Sequence, residues 1–287
     1  MRTHIPFLLE GGAPRPLLPL TAWLFFLFNF CLPAAAPAFC GDAGDGGAGQ
    51  RGPWHDASPE RAAAAEISGS AQPGVQDHLL LRPLPGDGSS SGGTALTIDL
   101  HYPSIGHKAV DADIRAWAGG IADAFSRHFD GGALEAAPPA VDLRSSYTVD
   151  RPSRHAVSIT FELWNDTGGM HPNLDVLTLN YSLITGQRLA LADIFADPDE
   201  AMRLMSAWSR KSLLHRLGVG RLRAASEGLA PLVENFSSLT LVPEGVCVNF
   251  QPYQVAGWEM GVQKVVVPLA ELAPAGPFSI LWADGRP

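Results

Sequence analysis

Two segments, 155–164 and 175–183, alternate apolar and polar residues, and no other feature restricts the fold as much. In the first, Val157, Ile159, Phe161 and Leu163 share one face, with Ser158, Thr160 and Glu162 on the other. In the second, Leu177, Leu179, Tyr181 and Leu183 alternate with Val176, Thr178, Asn180 and Ser182. A period of two belongs to the β-strand, whose successive side chains point to opposite faces. The stretch from Asp166 to Pro172 is short enough to join the two as an antiparallel pair. Leu96, Ile98 and Leu100, alternating with Thr97, Asp99 and His101, mark another strand. Segments 237–242, 246–250 and 262–267 read the same way, with Pro243-Glu244-Gly245 as a tight turn.

Between the strands the period changes. Val110, Ile114, Trp117, Ile121 and Phe125 recur every three or four residues, which predicts an amphipathic helix from about His107 to Phe129. Gly131-Gly132 and Pro138-Pro139 end it. A second helix opens at Asp197-Pro198-Asp199-Glu200, where Asp197 caps free amides and Pro198 suits the first helical position. Two main helices among antiparallel sheets make the expected class α+β.

Upstream, Arg2 and Arg15 precede the apolar run Leu17 to Leu32, and Ala36-Pro37-Ala38 follows. A positive start, an apolar middle and a small-residue exit are the requirements of a secretory signal, so residues 1–38 are expected to be cleaved after Ala38. The bulky Phe39 argues against lipidation of Cys40, and Pro19 and Pro33 argue against an uncleaved anchor. These are the two routes by which the chain would hold to a membrane. Residues 39–94 are rich in Gly, Ala, Ser, Pro and Asp and read as a flexible tether. The domain is expected over 95–287, in an N-terminal half (95–150) and a C-terminal half (151–287), and a chain beginning near Gly92 is expected to fold alone. Gly88-Ser89-Ser90-Ser91-Gly92 matches a serine-hydrolase pattern but lacks the strand–turn–helix setting that gives the pattern meaning.

With 20 Lys and Arg against 29 Asp and Glu, the net charge is −9, and loss of residues 1–38 makes it one unit more negative. Such a chain lacks the basic footprint that phosphate neutralisation needs, which argues against nucleic acid. Cys247 lies between Val246 and Val248 and is expected to be a buried free thiol. A disulfide to Cys40 stays open in an oxidising compartment.

Gly168-Gly169-Met170-His171-Pro172-Asn173, a strand, Thr185-Gly186-Gln187 and Leu189-Ala190-Leu191-Ala192-Asp193-Ile194-Phe195 follow one another here. Together with Phe250-Gln251-Pro252-Tyr253-Gln254-Val255-Ala256 and Gly261, they resemble the RsiV-like domain of unknown function over about 95–272. Region 95–150 resembles, more weakly, the PdaC-like half that accompanies this domain. That family occurs in lysozyme-sensing anti-sigma proteins and beside peptidoglycan deacetylase domains. The resemblance implies an extracytoplasmic α+β domain that binds lysozyme in its sensor members. Neither sigma-factor control nor deacetylation is carried over.

Two loops hold the candidate site. In the first, Gly168 and Gly169 let the backbone turn tightly, while His171 and Asn173 offer polar groups. In the second, Gln251, Tyr253 and Trp258 combine polar and aromatic groups of the kind that anchor binding partners. The competing readings are a hairpin whose His and Asn satisfy nearby backbone, and aromatic packing beneath a long loop. The loops are expected to adjoin and form one recognition surface. No metal is expected, since the histidines are scattered and no Cys pair has ligand spacing. No cofactor is expected either. The one weak catalytic candidate is His171 as a base, oriented by Asp175 or Asp166. The expected function is an exported, periplasmic or secreted, non-catalytic module that binds or senses an extracellular macromolecule, either a lysozyme-like protein or peptidoglycan. The alternative is a hydrolase or transferase acting on cell-wall glycan.

Overall fold

A computed structural model describes residues 74–83, 95–130, 140–167, 171–218 and 226–283. The expected signal peptide, most of the expected tether, Cys40, Gly168 and Gly169 lie outside the described residues.

The fold is α+β, as the alternation of strand and helix periods requires. Strands β1 (Gln76–Pro83), β2 (Ala95–Ser104), β3 (Ala140–Ser153), β4 (Ala156–Asp166) and β5 (Asn173–Ser182) form one sheet in that order. Helix α1 (Lys108–Asp130) connects β2 to β3, and these two strands run parallel, as a helical crossover permits. All other neighbours are antiparallel. Short α2 (Leu191–Ile194) leads to α3 (Pro198–Leu217), whose cap is Asp197 accepting from Glu200 N–H at 2.9 Å. Strands β6 (Leu239–Val242), β7 (Gly245–Phe250) and β8 (Gln263–Pro268) form a second, antiparallel sheet, followed by α4 (Leu269–Leu272).

Strand β4 is covered on both faces. Val157, Ile159, Phe161 and Leu163 are buried on the α1 side, where the Phe161 ring lies 4.3 Å from Trp117. The polar face is buried too, against the small sheet. Thr160 and Thr240 hydroxyls pair at 2.7 Å, and Ser158 Oγ accepts from Leu241 N–H at 2.9 Å while donating to Asn180 Oδ1 at 2.6 Å. Asn249 Nδ2 donates to Thr240 Oγ1 at 2.9 Å. Hydrogen bonding of this kind is what makes burial of a polar strand face tolerable. Beyond the small sheet, Met205, Leu213, Val246, Val248 and Phe250 join the core that α3 closes. Cys247 is a buried free thiol whose pKa burial raises.

The expected domain boundary at residue 95 is too late. Gln76–Pro83 pairs with β2 from Gln76↔Ser104 to Pro83↔Thr97, and Arg82 forms an ion pair with Asp123 of α1. An edge strand needs little apolar burial, because backbone hydrogen bonds and one covered face hold it; Leu79 and Leu81 stay exposed. A chain starting at Gly92 therefore exposes the β2 edge. A loss of even ~2 kcal/mol would lower Tm by about 4–8 °C in a domain of this size. Calorimetry of chains starting at Phe39 and at Gly92 checks this, and equal Tm values would show that β1 adds nothing.

Candidate recognition site

The site lies where the β4–β5 hairpin meets the β7–β8 connection. Pairing of β4 with β5 runs to Asn165↔Asn173, two residues past His171. The link from Gln251 to Val262 returns beside it. Its fastener is Gln251: the carboxamide accepts from Val176 N–H at 2.8 Å and donates to Val176 C=O at 2.6 Å. A side-chain amide holds one donor group and one acceptor, as a peptide unit does, so Gln251 substitutes for a neighbouring strand at the open edge of β5. The expectation that Gln251 meets a partner is corrected accordingly, because its amide is engaged with backbone and positions the loop.

Gln254 pins the next turn. Gln254 N–H donates to Gln251 C=O at 3.1 Å, and Gln251 N–H donates to Gln254 Oε1 at 3.0 Å. Gln254 Nε2 then donates to the carbonyls of Gly228 and Asn235, each at 3.0 Å. Between these anchors Tyr253 takes φ 67°, the only described non-glycine residue with positive φ, and its side chain is 60% exposed. For a bulky residue this left-handed conformation is strained. Trp258 follows on a short 3-10 turn, Trp258–Met260.

His171 unites the two loops. Its ring stacks on Trp258 with centroids 4.3 Å apart and planes 28° apart, and lies 6.3 Å from Tyr253 at 30°. Nδ1 lies 2.9 Å from Pro172 C=O, and Nε2 lies 3.1 Å from Tyr253 Oη. A carbonyl only accepts, so Nδ1 carries the proton in the neutral ring, and Tyr253 O–H donates to Nε2. The orienting group at Nδ1 is thus Pro172 C=O, where Asp175 or Asp166 was expected. A carbonyl fixes the tautomer as a carboxylate would, and adds no negative charge to stabilise an imidazolium.

Asn173 turns away from that stack. Its Nδ2 donates to Asn165 Oδ1 at 3.3 Å, and Asn165 Nδ2 donates to Asp175 Oδ2 at 3.2 Å. Burial raises the Asp175 pKa from 3.8 to about 6, against the lowering effect of the Asn165 bond. A carboxyl whose folded pKa exceeds its unfolded one contributes stability that is present below the unfolded pKa and is lost as pH rises through the folded pKa. Asp175→Asn keeps an acceptor for Asn165 and removes the charge. Urea unfolding should find this variant equal to the parent near pH 3.5 and more stable by about 1–3 kcal/mol at pH 7, the gap opening between about pH 4 and 6. Destabilisation at both pH values would show that the hydrogen bond outweighs the buried charge.

Sequence reasoning found the aromatic members and missed their supports. Asn165 and Asn235 each open an Asn-x-Ser/Thr triplet, which does not announce their hydrogen bonds, and Gly228 stands in no motif; only the folded loops show what each one holds. No helix of the described residues is long and apolar enough to cross a membrane.

Known proteins share this architecture. Over 176 residues the chain is 23% identical to the peptidoglycan-N-acetylmuramic acid deacetylase PdaC of Bacillus subtilis (strain 168), covering 61% of this chain and 38% of that protein. The match therefore spans well under half of the curated relative. A crystal structure of a DUF3298 family protein from Pseudomonas aeruginosa PAO1 aligns with TM-score 0.51 at 16% identity, covering 74% of this chain and 97% of that one. A member of the same family from Bacteroides fragilis aligns with TM-score 0.51 at 14% identity, covering 72% and 95%. At such identities the likeness is one of fold. Residues 192–270, from α2 through β8 and including the Tyr253–Trp258 loop, match the family model described as "Protein of unknown function (DUF3298)".

Proposed function

We propose that this chain is an exported cell-envelope module that recognises an extracellular macromolecule without transforming it. Tyr253, His171 and Trp258 stand at the centre of its recognition surface. The observation that carries this reading is Tyr253, exposed yet held at φ 67° and hydrogen-bonded to His171. An exposed residue gives the core nothing in return for strain of about 1–3 kcal/mol, and strain of this kind concentrates at ligand sites. Large aromatic side chains with a polar tip are the commonest anchors of binding surfaces. The distant likeness to a peptidoglycan deacetylase supports a wall setting. The ligand is then peptidoglycan itself or a lysozyme-like protein that meets it. The glycan-hydrolase or transferase reading has less support, since the imidazole contacts a carbonyl and a phenol and neither is an orienting carboxylate.

The test is co-sedimentation of the full chain with peptidoglycan sacculi, beside titration with lysozyme. Tyr253→Gly should leave Tm nearly unchanged, because relief of backbone strain offsets the lost hydrogen bond and the added chain entropy. It should weaken binding tenfold or more. Retained affinity would move the recognition surface elsewhere. If His171→Ala abolished turnover of a wall glycan at unchanged affinity, the enzyme reading would replace this one.

A further inference from the structure

We infer that the site selects a cationic ligand group, and that the ligand is a polysaccharide of amino sugars bearing free, protonated amines. This deepens the envelope-binding reading and rests on it. The first observation is the distribution of charge along the chain. Residues 155–187 contain Glu162, Asp166 and Asp175 but no Lys or Arg, and residues 224–263 contain Glu227, Glu234, Glu244 and Glu259 but no Lys or Arg. Both loops of the site fall within these stretches, which favours an approaching cation, and Lys264 at the end of the second loop offsets part of this charge by pairing with Glu162 at 3.6 Å.

The second observation is the Glu259 carboxylate. It folds back over Gly257, where a Cβ would collide with both of its oxygens. No basic side chain pairs with it among the described residues. The third is the aromatic assembly: Tyr253 presents an exposed ring, and faces of Tyr and Trp attract ammonium groups. The fourth is Trp258 Nε1, a buried donor without a hydrogen-bond partner among the described residues. Such a donor is costly unless an acceptor reaches it.

One amino-sugar residue supplies all the complementary groups. Its C–H face lies on an aromatic ring, its hydroxyl or ring oxygen accepts from the indole, and its ammonium meets Glu259. An N-acetylated sugar would satisfy the rings and leave the carboxylate unpaired. A polyanion would be repelled by the Glu259 carboxylate.

The experiment is calorimetric titration of the full chain with glucosamine oligomers and with N-acetylglucosamine oligomers of equal length, at low and high salt. The free-amine oligomer should bind about tenfold tighter, and salt should shrink that advantage. Glu259→Gln, and Gly257→Ala through displacement of the carboxylate, should reduce the preference severalfold. Tyr253→Ala should weaken both sugars by about thirtyfold or more. Equal or tighter binding of the acetylated oligomer overturns the cation assignment and leaves the envelope-binding reading intact. Binding of lysozyme or of a lysine-rich peptide, with neither sugar bound, overturns the glycan assignment alone. Sugar binding unchanged by Tyr253→Ala and Glu259→Gln overturns the location. If sacculi, lysozyme and both sugars all fail to bind, the proposed function fails with it.

Discussion

Phe161→Ala should destabilise the domain by about 3–5 kcal/mol, the usual range for emptying a buried phenylalanine site. Phe161 has no exposed surface, packs on Trp117 at 4.3 Å and approaches Tyr147 at 6.2 Å. The ring thus ties α1 to β4 while its neighbour Thr160 ties β4 to the small sheet through Thr240. Collapse of the surroundings into the space is restricted, because α1 lies across this face of the sheet and Trp117 and Tyr147 already flank the ring. Urea unfolding followed by tryptophan fluorescence measures the loss, and Trp117 reports the site directly. Phe161→Leu keeps most of the volume and should cost only about 1–1.5 kcal/mol. A loss below ~1 kcal/mol for the alanine variant would mean that α1 does not pack on this face.

Phe161 also shows what made the fold readable. Its strand alternates cleanly because only one face meets an apolar layer, and β5 repeats the pattern, so both strands and their pairing follow from period alone. Strand β3 was not anticipated although Val141, Leu143 and Val149 are buried. Ser145 interrupts the apolar alternation there, and its hydroxyl instead bonds His101 C=O at 2.9 Å. A polar residue satisfied by a neighbouring strand's backbone reads in sequence as the end of a strand. Strand β1 escaped for a different reason: Leu79, Leu80 and Leu81 run consecutively, without a period, and sit in a polar stretch. Its place depends on the Arg82–Asp123 pair and on partners in β2, which are distant in the chain.

The site divides along the same line. Tyr253, Trp258 and His171 stood out by residue type and by turn-forming neighbours. Their meeting was expected, and the stack brings them together across 82 and 87 positions of chain. Gln251 and Asn173 stood out equally, yet their amides serve backbone and neighbouring side chains. Residue type announces capacity to bond, and only the fold decides whether a ligand or the protein uses it.

Gly228→Ala should disable the site from outside it. A Cβ at Gly228 would collide with the carbonyl oxygen of Gln254 and lie 2.9 Å from its carbonyl carbon and 3.0 Å from its Cγ. The first two are backbone atoms of the loop that presents Tyr253, so no side-chain rotation relieves the clash. Either residues 227–229 or the 251–254 turn must move, and both are held by the Gln254 bonds to Gly228 and Asn235. Overpacking of this kind costs about 1–3 kcal/mol or more, which corresponds to a Tm lower by about 2–12 °C. The displaced turn carries Tyr253 off its 3.1 Å contact with His171, and an anchor out of place should lose tenfold or more in affinity for whichever envelope ligand binds. Gly119→Ala provides the control, since its Cβ meets nothing within 4 Å on α1. Alanine there should be neutral or stabilise by up to about 1 kcal/mol, with affinity unchanged. Thermal melts and titrations of both variants, run well below the lower Tm, separate the outcomes. Full affinity in Gly228→Ala would show that Tyr253 does not depend on this support.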